Sequence, residues 1–264
     1  MSKTNPSFLP EVNLEALKAE EEDIRGKSSL HINTQINLIE HIKLVHSGLD
    51  IIMWTHQRTK NLNSDRSVAV AGIRVRLFNS ISCTLKLLLS GYYQGAISFI
   101  RDILEISFLL DFFSYDSDAI ERWIKNPDTK EFKPFSIRKN LDLRDGFTSE
   151  RRKQTYKLFC TYGTHATFDG NKLLSNNNLI TIGPFFNPKF LENILFELAN
   201  LVPQPVMFCF GDNADADDYR KKKDFFATTQ SWWKLNKQGD LCDKEMEELE
   251  KALALFESIQ YKWY

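Results

Sequence analysis

The amino-acid sequence predicts an all-α fold, a helical bundle with one irregular segment at about residues 164–187. Apolar residues recur at spacings of three and four along most of the 264-residue chain, as on helices with one buried face. The composition agrees, because 42% of the residues are hydrophobic and there are only 11 glycines and 8 prolines. The 20 phenylalanines can build a large aromatic core. Only residues 179–186, LITIGPFF, resemble a strand.

Two helices are predicted in the first quarter of the chain. A short acidic helix ends near Arg25, and Ser28 or Ser29 can cap a second helix that runs to about residue 59. We therefore expect residues 1–27 to form an acidic N-terminal arm that precedes the core bundle.

The next two helices are expected at the centre of the bundle. Asp65 is placed to cap the third helix, and Gly91 closes it, as glycine commonly does at a helix C-terminus. The fourth helix, at about residues 92–113, is apolar almost all round, which is typical of a helix buried on every side. Short connections favour an up-down-up arrangement of helices two to four.

The second half of the chain alternates helices with polar connections. Helices are predicted at about residues 116–126, 134–143, 150–163, 188–202, 214–238 and 243–263. Because no linker or internal repeat is apparent, we expect one domain over residues 1–264, with a core bundle at 28–165 and C-terminal helices at 188–264.

Local charge is uneven although the formal net charge is only −1. Residues 66–101 contain five basic residues and no acid, and residues 122–157 contain eleven basic residues and five acids. Such stretches can collect a phosphate-bearing ligand. The alternative is that both are solvated helix faces, neutralised in the fold by the acidic ends of the chain.

Several function classes lack their motifs in this sequence. The four cysteines are 77, 49 and 33 residues apart, so no local zinc or redox pair exists, and His41 and His46 are too far apart on a helix to share a metal. P-loop, GxGxxG, serine-hydrolase and Glu-x-x-His patterns do not occur. We therefore expect no metal and no cofactor.

Features of a membrane or secreted protein are also lacking. The N-terminal residues are acidic where a signal peptide is basic and then apolar. The most apolar stretch, residues 95–115, contains four ionisable side chains, which makes it a poor membrane span. We expect a cytoplasmic protein without a membrane partner.

Three residues are the strongest candidates for chemistry. Arg101 and Glu105 are four apart and share one face of the apolar fourth helix, where charges are costly unless paired or functional. Arg101 can present its guanidinium to a phosphate while Glu105 orients it; alternatively the pair is purely structural. His165 follows a helix end among small and polar residues, and an imidazole can act as acid or base near neutral pH.

The pairing of the helix GAISFIRDILEISFLLDF with a later Y-x-x-F-C-x-x-x-x-H segment resembles a diffuse group of bacterial helical proteins, similar to abortive-infection and HEPN-type bundles. The resemblance covers about residues 74–170. HEPN ribonucleases use an Arg-x(4–6)-His motif, usually across a homodimer, and the only such spacing here joins Arg25 to His31. By the resemblance, Arg101, Glu105 and His165 would form the catalytic site.

The resemblance implies a metal-independent endoribonuclease of a bacterial toxin or phage-defence type. His165 would be the general base, Arg101 would hold the phosphate, and further candidates for binding substrate are Arg74, Arg76, Tyr156 and Thr164. Two alternatives stay open: a non-catalytic interaction or sensor subunit, and a phosphate- or nucleotide-binding module.

The expected partners are RNA or a nucleotide, a second copy of the chain, and a partner protein of a defence operon. The homodimer is expected because Tyr261, Trp263 and Tyr264 end an apolar stripe that monomers seldom expose.

Overall fold

The fold is all-α, which confirms the prediction. The computed structural model describes residues 14–59, 63–148, 150–176, 179–210 and 216–236. Ten α-helices lie in these ranges: α1 Leu14–Asn33, α2 Ile36–Arg58, α3 Asp65–Leu89, α4 Tyr93–Tyr115, α5 Ala119–Lys125, α6 Pro134–Arg144, α7 Arg151–Phe159, α8 Pro188–Leu201, α9 Pro203–Met207 and α10 Ala216–Asn236. The predicted helix at 243–263 and the aromatic C-terminus that suggested a dimer lie outside the described residues.

The first helix differs from the prediction. Helix α1 continues through the predicted boundary to Asn33, and α2 begins at Ile36. The reason is packing: Ile24, Ser28 and Ile32 follow one another at helical spacing and are all buried, so Ser28 faces the core instead of capping a new helix. The expected division between residues 1–27 and 28–165 therefore falls inside one helix.

Helix α3 has well-defined ends. Ser64, not Asp65, is the N-cap: its hydroxyl accepts a hydrogen bond from the backbone N–H of Ser67 at 3.1 Å. Gly91 ends the helix as predicted, with a φ of +85°, since a residue with a β-carbon would be strained there and would collide with the carbonyl oxygen of Phe185. By length and composition alone α3 could cross a bilayer; 44% of its apolar window is buried inside the protein.

Helix α4 is central, as its apolar composition predicts. Twelve of its 23 residues are buried, and it packs against α3, α6, α7, α8 and α9. This position makes α4 the element on which the neighbouring segments are fixed.

The predicted irregular segment contains short regular pieces. A π-turn at Cys160–Thr164 follows α7, a 3₁₀ helix spans Asp169–Leu174, and strands β1 (Ser175–Asn176) and β2 (Leu179–Ile180) pair antiparallel. The strand-like run at 179–186 thus forms only a two-residue strand, and the remaining chain to Asn187 is irregular.

Both ends of this segment are fixed at the N-terminal end of α4. The carbonyl of Gly163 accepts hydrogen bonds from the Ser98 hydroxyl, at 2.6 Å, and from the Gln94 amide. Gly163 also lies so close to the α4 backbone that a β-carbon would not fit. At the other end, Phe185 packs against the ring of Tyr93, with ring centroids 5.3 Å apart.

Helix α10 is fixed on the bundle by a buried histidine. The indole N–H of Trp232 donates a hydrogen bond to Nδ1 of His41 on α2 at 2.8 Å, and Phe196 of α8 packs edge-on against the imidazole. Burial lowers the pKa of His41 to about 4. His41 is therefore neutral at pH 7, with Nδ1 available as the acceptor.

This histidine predicts an acid-sensitive fold. Between pH 6.5 and about 4 the unfolded chain binds a proton at residue 41 that the folded chain does not. The free energy of unfolding should therefore fall by about 3 kcal/mol as the pH drops through this range. Urea denaturation across this range should show that His41→Gln removes most of this dependence.

The control is His46→Gln, since His46 is an exposed histidine on the same helix. This variant should retain the pH dependence of the wild type. Equal pH dependence in His41→Gln and the wild type would contradict the assignment.

Candidate functional site

A polar groove of about 580 Å³ lies between α3 and α4. Helix α3 contributes Gly72, Val75, Arg76, Asn79 and Ser80, and α4 contributes Ser98, Phe99, Arg101 and Asp102. On each helix these residues are separated by about one helical turn, so each forms a stripe that faces the groove. The groove is large enough for a small organic ligand, and six of its nine lining residues have hydrogen-bonding side chains.

The stripe on α4 explains why charges occur on the most buried helix. Ser98, Arg101, Asp102 and Glu105 stand at positions i, i+3, i+4 and i+7, which is one face of a helix. The side chains of Arg101 and Glu105 are 27% and 21% exposed. The Arg101–Glu105 pair is therefore only partly buried, and its desolvation cost is smaller than for a fully buried pair.

Arg101 is held by two partners. Its Nη2 donates to Oε1 of Glu105 at 2.7 Å, and its Nε donates to the hydroxyl oxygen of Tyr156 on α7 at 3.2 Å. The Tyr156 hydroxyl in turn donates to Oε1 of Glu105 at 2.8 Å. Burial acts to lower the pKa of Arg101, but the bonds to Glu105 and Tyr156 outweigh it and raise that pKa. The three side chains thus form a closed triangle.

Tyr156 serves as a hydrogen-bond donor and not as a base. Burial, together with the hydrogen bond to Glu105, raises the pKa of Tyr156 to about 12. Its ring also supports Arg138 of α6, whose guanidinium carbon lies 3.9 Å from the ring centroid. Tyr156 therefore couples α4 to α6 and α7.

A second carboxylate holds Arg76 on the opposite wall of the groove. Nε and Nη2 of Arg76 donate to the two carboxylate oxygens of Asp102, at 3.2 and 2.5 Å. The Ser80 hydroxyl donates to the same carboxylate at 2.6 Å. The hydrogen bond to Asp102 raises the pKa of Arg76. Asp102 thus joins α3 to α4 across the groove.

Three arginines of the basic stretch at residues 122–157 are paired with nearby acids. Arg144 bonds the buried Asp111 of α4 and also Asp145, Arg152 bonds Asp142 and Asp145, and Arg122 bonds Asp116 and Glu131. These arginines are neutralised by acids nearby in the chain and on α4. Most of the acidic ends, expected to neutralise the basic stretches, lies outside the described residues, so that expectation stays a prediction.

The structure separates the predicted site residues into groups. Arg101, Glu105 and Tyr156 are in contact, and Arg76 lies across the groove from Arg101. Arg74 is two residues from Arg76 and so points the other way: it is buried and donates to the Thr59 hydroxyl at 3.1 Å. Arg74 is therefore placed outside the groove.

His165 and Thr164 are exposed and do not line the groove. Among the described residues, no hydrogen bond joins the His165 imidazole to Arg101, Glu105 or Tyr156. The backbone N–H of His165 donates to the carbonyl of Cys160 at 2.9 Å, which closes the π-turn. Its link to the groove is through the chain, since Gly163, two residues earlier, is bonded to the groove residue Ser98.

Sequence reasoning missed the roles of Asp102, Ser80 and Asn79. The signal was present as two polar stripes of helical period, one on each of two helices predicted to be neighbours. Within the described ranges, no group of three or more histidine, cysteine, aspartate or glutamate side chains could hold a metal ion.

Comparison of the chain with protein-family models, with curated protein sequences and with solved structures gives no match. The resemblance to HEPN-type bundles therefore stays a prediction, and the function has to be argued from the groove itself.

Proposed function

We propose that the groove between α3 and α4 binds a phosphate-bearing ligand, either a nucleotide or a segment of RNA. The observation that carries this proposal is a pair of arginines that line the groove, Arg76 and Arg101, each bonded to a carboxylate. Arginine offers donors in a fixed planar arrangement that matches the oxygens of a phosphate group.

Each guanidinium keeps donors for a ligand. Both arginines use Nε and Nη2 for their bonds to Asp102, Glu105 and Tyr156. For each of them, no hydrogen bond to another described residue involves Nη1, which carries two N–H donors. Two fixed arginines therefore supply up to four donors to an anion between them.

The carboxylates orient the arginines. Each arginine is matched by one carboxylate, so the attraction for an anion rests on the Nη1 donors that those carboxylates do not use. A side chain already fixed by its partner loses less conformational entropy when the ligand binds. Asn79 adds a polar group for a sugar or base, and Phe99 adds an apolar surface.

Binding should depend on both arginines. With a fluorescently labelled single-stranded RNA oligonucleotide as the probe, Arg76→Ala and Arg101→Ala should each weaken binding about tenfold, the loss expected for one charge-assisted contact. Fluorescence anisotropy titrations should also show affinity that falls as salt is added. Competition by unlabelled ATP shows whether a single nucleotide is enough to occupy the groove.

The matched control is Arg122→Ala, which removes an exposed, doubly ion-paired arginine on α5, outside the groove. Its affinity should stay within about twofold of the wild type. An equal loss in all three variants would mean that only overall charge matters, and would contradict a site in the groove.

A second candidate function is cleavage of the bound RNA, with His165 as general base. The observation that favours it is the bond between Gly163 and the groove residue Ser98. Consecutive Cα atoms are 3.8 Å apart, so the His165 Cα lies within about 7.6 Å of the Gly163 Cα. An exposed imidazole at that distance can reach a ligand that extends from the groove. Tyr156 cannot serve as the base, because its hydroxyl has a pKa of about 12 and stays protonated at neutral pH.

Expression in bacteria tests the toxin or phage-defence form of this function. The wild type should arrest growth and degrade total RNA, and His165→Ala should abolish both effects while retaining RNA binding. His46→Ala, at another exposed histidine, serves as the control and should behave like the wild type. RNA binding without degradation by the wild type would leave the chain as a non-catalytic binding or sensor module.

A further inference from the structure

We propose that the loop between Gly163 and Phe185 is a docking surface for an anionic lipid bilayer. The loop is defined here by its described residues, 164–176 and 179–184. This inference is independent of the groove and of its ligand.

The loop lies partly against the body of the protein and partly in solvent. It leaves α4 at Ser98, which binds the Gly163 carbonyl, and returns beside Gly91 and Tyr93, which contact Phe185. Its 3₁₀ helix packs on α4, with Leu173 against the core and Gly170 buried. Outside these packed positions, Phe168 and residues 179–180 and 182–183 are exposed.

The solvent-facing part exposes large apolar side chains. Phe168, Leu179, Ile180 and Ile182 are 87%, 72%, 65% and 99% exposed. Single exposed apolar residues are ordinary, but Leu179, Ile180 and Ile182 lie within four consecutive residues, a cluster that proteins rarely leave uncovered.

The loop is internally hydrogen-bonded. The Thr167 hydroxyl donates to the carbonyl of Thr161 at 2.6 Å and accepts from the backbone N–H of Gly170, and Thr181 donates from its backbone to Leu174. The apolar side chains are therefore presented on a defined backbone, which lowers the entropy cost of inserting them.

The charge around the loop selects the partner. Of the six lysines and arginines between Arg151 and Lys189, three are ion-paired: Arg152, Lys153 and Lys172. Arg151, Lys157 and Lys189 have no ion pair with a described residue. Lys157 and Lys189 are exposed on the helices that enter and leave the loop. Cationic side chains at the base of an apolar tip match an anionic bilayer, where the apolar groups enter the acyl boundary and the lysines stay at the level of the lipid phosphates.

A second copy of the chain fits this surface less well. A two-fold contact through the loop would bring the basic flanks of both copies together, since the same patch is used on each side. Such a juxtaposition of like charges opposes association.

Sedimentation of the full chain with vesicles tests the proposal. The protein should sediment with vesicles of phosphatidylcholine and phosphatidylserine, and much less with phosphatidylcholine alone. Ile182→Glu should lower the partition coefficient about tenfold or more, because it puts an anion where an apolar side chain would enter the bilayer. Lys157→Glu combined with Lys189→Glu should weaken binding only to the anionic vesicles.

The control is Leu30→Glu, which adds the same charge at an exposed apolar position on α1 and should bind like the wild type. Thermal denaturation should give equal midpoints for all variants, because the substituted side chains are exposed. Failure of the wild type to sediment with anionic vesicles, or equal losses in Ile182→Glu and Leu30→Glu, would overturn the proposal. A dimer in light scattering that Ile182→Glu dissociates would overturn it too, since a second copy would then cover the loop.

Discussion

The ion pair between Arg101 and Glu105 lies on a helix that the rest of the fold surrounds. Because much of α4 is buried, the polar stripe that contains Arg101 has to face places where water or polar groups are available, namely the groove beside α3 and the Tyr156 hydroxyl of α7. This constraint sets the position of the groove. It also explains why Arg101 is paired with Glu105: on a largely buried helix an unpaired charge would cost more than the pair. Asp111, on another side of α4, is paired with Arg144.

The same helix organises the chain on either side of the groove. Asp102 links α4 to α3 through Arg76, and Glu105 links it to α7 through Tyr156, while Gly163 and Phe185 fix the two ends of the loop at its start. Any ligand that moves Arg101 would therefore act on residues that also position α7. The groove and the loop meet at Ser98, which lines the groove and bonds the Gly163 carbonyl.

The sequence was sufficient for the features that depend on one helix. The central place of α4 follows from its apolar composition, the contact of Arg101 with Glu105 follows from a spacing of four, and the end of α3 follows from Gly91. The missed boundary in α1 depends on the burial of Ser28, which only tertiary packing decides.

The features that depend on the packing of two helices were harder to predict. Arg74 and Arg76 lie in the same basic stretch, and only the orientation of α3 shows that Arg76 faces the groove and Arg74 does not. Likewise, Tyr156 was a candidate for substrate binding, but its bond to Glu105 requires knowing that α7 lies against α4. His165 lies on irregular chain, for which no period predicts a direction.

The central claim is that Glu105 orients Arg101 for an anionic ligand, and the affinity of Glu105→Gln for the labelled RNA tests it most directly. Removing a carboxylate near a bound anion should tighten binding if electrostatic repulsion is all that Glu105 contributes. If Glu105 holds Arg101 in place, binding should instead weaken about fivefold, the equivalent of one hydrogen bond. Glu121→Gln makes the same change in net charge on α5 and provides the reference. Weaker binding by Glu105→Gln than by Glu121→Gln is the result that the account predicts, and equal or tighter binding would contradict it.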